Sequence, residues 1–430
     1  MAAHPAIGYG FGVLRARGGG EMRKWMAALL TAGVACHAGP SPERSTNHPL
    51  EHHAYVWQRV WTPSVQAAVD AAEAEFSDRM LLAVESDSKN TIWTGLWSLD
   101  GQPKRNPSAD WEPDATRRLG SVSLALRWAD ADRALQPGEV LAQVRLTLER
   151  AEQRGWAVDS VHLDADIPTG RLGQWAAVLA AIEAASPVDI AVLTLVDHVD
   201  KPGWTALTEA VDTVVLQVHS VPVEGVDRPV LFDPETARRA VSAAVTSSGA
   251  PLQVALPTHT LTDARTGGAV RAEPAVVARW LDAASNPIVR RLAGVTWFRL
   301  PVSDVPDTWS ADTLADVRAG VVPLSVAAPA LGRPPAGWGA ADTARAVYVA
   351  STGRDHAWLS ELEVCVPKGR LAVATMDLRY QDRAAGETCV VLEPRVEQLL
   401  APGERVAVAL VLADAEPEVR RRGAPTEAVQ

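Results

Sequence analysis

The chain has 430 residues, 47% of them hydrophobic and 22% charged, enough for two or three domains and at least one large core. Its formal net charge of −11 argues against nucleic acid as a partner, because phosphate binding draws on concentrated positive charge. The aromatic residues are 15 Trp against four Tyr and four Phe; Trp suits a flat sugar ring, and its bland use is to fill a core.

Met22-Arg23-Lys24 is a short basic stretch, followed by the uncharged run WMAALLTAGVA at 25–35 and then Cys36. A charged stretch before a short apolar run is the layout of a secretory signal, and the run is too short to span a bilayer. Residues 22–36 resemble a bacterial lipoprotein signal, with Gly33 where Leu is usual. That resemblance implies cleavage before Cys36, a lipid on its side chain, and an exported periplasmic or cell-surface lipoprotein held to the membrane. Plain cleavage near Ala38 is the alternative. Residues 1–21 fit neither scheme and read as an extension upstream of a start at Met22. Residues 37–51, rich in Pro and Ser, read as a flexible tether.

From residue 52 to about 320, short apolar runs alternate with amphipathic stretches. The predicted strands are 54–61, 79–86, 121–128, 159–166, 189–196, 212–219, 251–258 and 294–301. Helix patterns fall at 63–76, 137–154, 171–186, 203–211, 233–248, 274–285 and 311–319. Asp233-Pro234-Glu235 supplies an N-cap, a Pro at the first helical position and an early acid. A Trp-rich stretch, 87–118, follows the second strand in place of a periodic helix. Alternation of this kind gives a parallel sheet with right-handed crossovers, and eight units in this length make a (β/α)8 TIM barrel. The competing doubly wound sheet lacks a Gly-rich phosphate loop here, and no cofactor is called for.

Residues 321–430 change to short alternating runs separated by turns, which predicts a small C-terminal β-sandwich domain. The stretch 332–340 reads as its linker or first loop. Cys365 and Cys389 both lie in this segment. In an exported chain they pair as a disulfide, or else stay as buried thiols.

Parallel strands are normally apolar on both faces, so polar rows point to the C-terminal mouth of the barrel. On strand four His162, Asp164 and Asp166 share one parity. Glu85 and Arg127 close strands two and three. Gln217 and His219 share a parity on strand six, as Trp297 and Arg299 do on strand eight, and His259 follows strand seven. Strand one offers Tyr55, Trp57 and Gln58.

Asp159-x-x-His162-x-Asp164-x-Asp166 resembles the Asp-x-x-Asp-x-Asp-x-Glu signature of family 18 chitinase-like glycoside hydrolases, with His162 and Asp166 as departures. The set YVWQRVW, LDADIPTGRL, LQVH and VTWFRLP resembles, from about 52 to 415, an uncharacterised family of bacterial proteins with a glycoside-hydrolase-like barrel. The resemblance implies an oligo- or polysaccharide partner, Asp166 as the acid and Asp164 as its partner. Asp164 and Asp166 lie about 7 Å apart by the strand rise, which suits a coupled pair. Glu85 is the second choice of acid. His162 would orient Asp164; Trp57 and Trp297 would stack on sugar; Gln58, Arg127, Gln217, His219 and Arg299 would bind hydroxyls.

Three other readings stand beside this one. The barrel binds glycans without cutting them. Or His162, Asp164, Asp166, His219 and His259 hold a metal that activates water. Or Asp164 and Asp166 form ion pairs with Arg127 and Arg299 that only hold the lumen together.

Overall fold

Runs such as SVSLALRW and DIAVLTLV place apolar side chains on both faces, as a strand covered by helices on one side and a packed lumen on the other requires. The computed structural model describes residues 50–105, 117, 119–219, 230–282, 285–305, 308–323, 325–336, 343–353, 355–396, 398–401 and 403–422. The predicted signal, its Cys36 and nearly all of the tether lie outside them.

Eight strands form the barrel: β1 (Glu51–Val56), β2 (Asp78–Ser86), β3 (Ser121–Trp128), β4 (Ala157–Ala165), β5 (Asp189–Leu195), β6 (Thr213–Gln217), β7 (Leu252–Pro257) and β8 (Gly294–Phe298). Neighbours pair in parallel, and β1 pairs with both β2 and β8, so the ring is closed. Strand one begins three residues earlier than its sequence pattern predicts, which leaves Trp57 and Gln58 just past its C-terminal end.

The predicted helices are present: α1 (Pro63–Ala72), α2 (Pro137–Gln153), α3 (Leu172–Glu183), α4 (Trp204–Thr208), α5 (Pro234–Ser247), α6 (Pro274–Leu281) and α7 (Ala311–Arg318). Their starts are set by local chemistry. Thr62, Asp233 and Ser310 each accept a hydrogen bond from a backbone N–H of the first turn, and Pro occupies the opening position of α1 and α5.

Where a helix would follow β2, the chain makes a hairpin (Thr91–Trp93 with Lys104–Arg105) and a single turn, Gly95–Trp97. Trp93, Trp97 and Trp156 pack against one another there, with centroids 5.6 and 5.3 Å apart. Arg150 and Arg154 lie over their faces, and Trp97 Nε1 donates to the Ala83 carbonyl. Much of the Trp content is therefore core, and these rings close the barrel wall rather than meet a ligand.

Beyond α7, two four-stranded antiparallel sheets form. One joins Ser325–Gly332, Arg345–Gly353, Arg405–Ala413 and Leu371–Thr375; the other joins Tyr380–Ala384, Cys389–Pro394, Leu362–Cys365 and Glu418–Arg421. Val347, Val349 and Val408 of the first and Leu362, Val364 and Leu392 of the second share one apolar cluster, as in a sandwich. The described part of 332–340 follows the first of these strands and is a loop inside the domain. Arg271 and Asp355 form a buried ion pair at 2.6 Å between the barrel and this domain.

Cys365 and Cys389 are opposite one another on adjacent strands and form a disulfide. They enclose a sequence separation of 24 residues. Reducing it, or replacing both by Ser, should lower the stability of the C-terminal domain by about 3 kcal/mol. Calorimetry with and without reductant checks this; an unchanged melting profile would count against it.

Candidate functional site

The strand register builds the site. Glu85 on β2 is opposite Arg127 on β3, and Arg127 is opposite Asp164 on β4. Simple alternation puts Glu85 on the wrong face, because Met80 and Leu82 already point into the lumen. A bulge corrects this: the register slips between Leu82 and Val84, so Ala83 and Val84 both pack outward and Glu85 turns inward.

Arg127 is the centre of the row. Its Nη1 donates to Asp164 Oδ2 and its Nη2 to Asp166 Oδ2, each at 3.0 Å. Its Nε is 3.7 Å from Glu85 Oε1. Glu85 is also gripped by Arg59, whose Nη2 donates to Oε1 at 2.7 Å and whose Nε donates to Oε2. Burial works to lower the Arg127 pKa, and the carboxylates of Asp164 and Asp166 outweigh it, so the guanidinium is held charged. Asp164 is 3% exposed. Burial pushes its carboxyl up to about 6, against the pull of Arg127, with Asp166 adding to the rise. Asp166 stands above it with half its side chain in solvent.

Around this row lie aromatic groups. Trp57 packs edge-on to Tyr55 at 5.0 Å and tilted against Phe298 at 5.4 Å. The Arg127 guanidinium already covers one Trp57 face, 5.3 Å from the ring centroid. Tyr55 is fully buried, and its hydroxyl has no hydrogen-bond partner. Burial, with the Asp164 carboxylate nearby, raises its pKa. Gln58 is buried and its Oε1 is unpartnered. Gln217 shares the inward parity of Val215.

His219 and His259 form a second group against Phe298, with centroids 4.9 and 5.3 Å from its ring. Burial lowers them to about 3 and about 4. The Arg299 guanidinium is 5.9 Å from the Phe298 centroid, and its charge adds to the lowering of both histidines.

Two expectations are corrected. Trp297 is not at the mouth: it is fully buried on the outward face, stacked on His52, hydrogen-bonded to His52 Nδ1 at 3.1 Å and packed on Trp309. Both parities of VTWFRLP carry bulky residues, and the inward aromatic is Phe298. His162 does not support Asp164. It lies below, where the Asp78 carboxylate and the His53 imidazole are its neighbours, and its Nδ1 has no hydrogen-bond partner. The five-residue metal set is thus split. Among the described residues, the His, Cys, Asp or Glu donors that converge in a group of three are Glu363, Cys365 and Cys389, two of them the disulfide. Asp164 and Asp166 both pair with Arg127, the geometry that the ion-pair reading expects of that residue.

Sequence reasoning gave no role to three contributors. Tyr55 is two residues before Trp57 on the same parity, a signal that was present. Arg59 carries no periodic signal. His198, at the end of β5, accepts from Leu195 N–H and contacts the Ile167 carbonyl at 2.9 Å, bracing the loop that carries Asp166.

The family described as "Domain of unknown function (DUF3142)" matches residues 125–273, which include Arg127, Asp164, Asp166 and His219. No curated protein matches the sequence. Similar solved structures include a chitinase from Chromobacterium violaceum, 12% identical, covering 63% of this chain and 98% of that one with a TM-score of 0.41. A chitinase from Bacteroides thetaiotaomicron is 7% identical, with coverages of 64% and 96% and a TM-score of 0.44. A β-mannanase from Alicyclobacillus acidocaldarius is 12% identical, with coverages of 64% and 98% and a TM-score of 0.41.

Proposed function

We propose that this is an exported, glycan-acting protein whose barrel mouth hydrolyses a glycosidic bond. The observation that carries the reading is the carboxyl pair joined by Arg127: one member buried with its pKa raised to about 6, the other half exposed above it. Near pH 6 the Asp164 carboxyl carries a proton about half of the time. Asp166 is the member that meets the glycosidic oxygen. As the C–O bond breaks, the Asp164 proton passes by way of Asp166 to the leaving oxygen, the negative charge left on the pair faces the positive charge growing on the sugar, and a water then adds to the sugar carbon and returns its surplus proton to the pair. Glu85 stays tied to its two arginines and fixes the position of Arg127. The Cys365–Cys389 disulfide supports export, and a lipid on Cys36 is the proposed anchor.

Incubation with a panel of oligosaccharides, read by reducing-end release and mass spectrometry, tests this. Asp166→Asn and Asp164→Asn should each lower kcat by about a hundredfold or more while leaving the far-UV spectrum unchanged. A proton donor works in its protonated form, so kcat/KM should fall about tenfold per pH unit above pH 6. A flat profile from pH 5 to 8 would remove the pair from the chemistry.

One observation favours a second reading, a glycan-binding protein without catalysis: every carboxylate of the row is already held by a guanidinium. On that reading the wild type retains a glycan on an array and cleaves nothing in the panel.

A further inference from the structure

Between β7 and α6 the chain makes a hairpin, Thr260–Thr262 with Ala269–Arg271. It leaves the C-terminal end of β7 directly after His259, so it stands at the mouth, where the loops that follow barrel strands gather. A two-stranded hairpin is only marginally stable alone, so its pose is set by what grips it. In its register Leu261 is opposite Val270 and Thr260 opposite Arg271, and residues directly opposite share a face. Val270 packs on the barrel core. Arg271, on the other face, reaches the C-terminal domain: its Nη2 donates to Asp355 Oδ2 at 2.6 Å, with both side chains almost without solvent. Thr313, in the first turn of α7, donates through Oγ1 to Asp355 Oδ1 at 3.3 Å. Trp358, also from the C-terminal domain, donates its Nε1–H to Glu273, just past the hairpin.

We propose that Asp355 of the C-terminal domain is a positioning residue for the mouth: by holding Arg271 it fixes this hairpin, and with it His259, in the pose that receives a glycan. The proposal rests on the mouth being the glycan site argued above. The path is short. Asp355 holds Arg271, Arg271 is paired across the hairpin with Thr260, and Thr260 adjoins His259. His259 Nδ1 donates to the Phe298 carbonyl at 3.1 Å, and its ring packs 5.3 Å from the Phe298 centroid. Burial works to raise the Asp355 carboxyl, and its contacts with His356 and Arg271 outweigh it, so the pair stays charged. Losing one partner of a buried pair leaves the other charge uncompensated, so Arg271 cannot keep its place without Asp355. Binding groups work when held to within about 0.5 Å, and this grip gives the C-terminal domain a part in the mouth.

Amide hydrogen exchange of the full chain, wild type against Asp355→Asn, tests this, together with kinetics on a panel oligosaccharide that the wild type cleaves, or Kd for one that it only retains. Peptides across 259–273 should exchange about tenfold faster in the variant, while those of β3 and β4 exchange as in the wild type. KM, or Kd, should rise about tenfold with kcat within about twofold, the mark of lost binding rather than lost chemistry. Trp358→Phe keeps the ring and loses only the bond to Glu273. It serves where Asp355→Asn fails to fold, with exchange across 259–273 about threefold faster. Unchanged exchange there, faster exchange spread evenly over the barrel strands, or faster exchange with KM and Kd unchanged overturns the proposal. A panel in which the wild type neither cleaves nor retains a glycan takes down the glycan reading, and exchange alone then decides whether Asp355 holds the hairpin.

Discussion

Replacing Arg127 by Met should lower the unfolding free energy by about 3–5 kcal/mol at pH 8, and by much less at pH 5. The reason is the company Arg127 keeps. It pairs with Asp164 and Asp166 and lies beside Glu85, and Asp164 is almost without solvent. Removing the cation strands a buried carboxylate. Even with Arg127 present, burial sets the Asp164 pKa at about 6, so without it the group takes up a proton at pH 5 and the cost shrinks. Adding Asp164→Asn to the Met variant should recover most of the loss at pH 8. Urea unfolding of the four proteins at both pH values reads this directly; equal losses at pH 8 and pH 5 would mean that the charge on Asp164 is not what Arg127 stabilises.

The wild type itself should lose stability steeply between about pH 6.5 and pH 4. His52, His162 and His259 are lowered to about 4 and His219 to about 3, from 6.5, chiefly by burial. A histidine depressed in the folded state leaves stability intact above the unfolded value. It removes stability as pH falls, because the unfolded chain binds a proton the native one refuses. Each such group gives a slope of about 1.4 kcal/mol per pH unit within its window. Asp164 acts in the opposite sense: raised from 3.8 to about 6, it favours the native state on the acid side, and so cancels about one of the four. A net slope of roughly 4 kcal/mol per pH unit is expected between pH 6 and pH 5. Denaturant midpoints measured across that range check it, and a midpoint that stays level would show that these histidines are hydrated in the native protein.

The fold was largely legible in the chain because the eight strands and seven helices each carry a consistent period. The strand-four row was legible too: Asp164 faces inward, with Asp166 above it at the mouth. Two kinds of information were not. A bulge is a register event, and nothing in RMLLAVES says that Ala83 is skipped, yet that skip is what turns Glu85 toward Arg127. Depth along a strand is likewise invisible to alternation. His162 and Asp164 share a parity, but one residue pair of rise, about 7 Å, is enough to assign them to opposite ends of the lumen. Trp297 was misplaced because both faces of its strand are bulky, so alternation could not say which ring goes in.

The packed layer inside the ring also limits how a long molecule can approach. With Tyr55, Met80, Leu82 and Val215 filling the lumen, there is no bore for a polymer to be reeled through. A chain-like substrate has one door: it lies across the rim or offers a single end, and it departs by the side it entered.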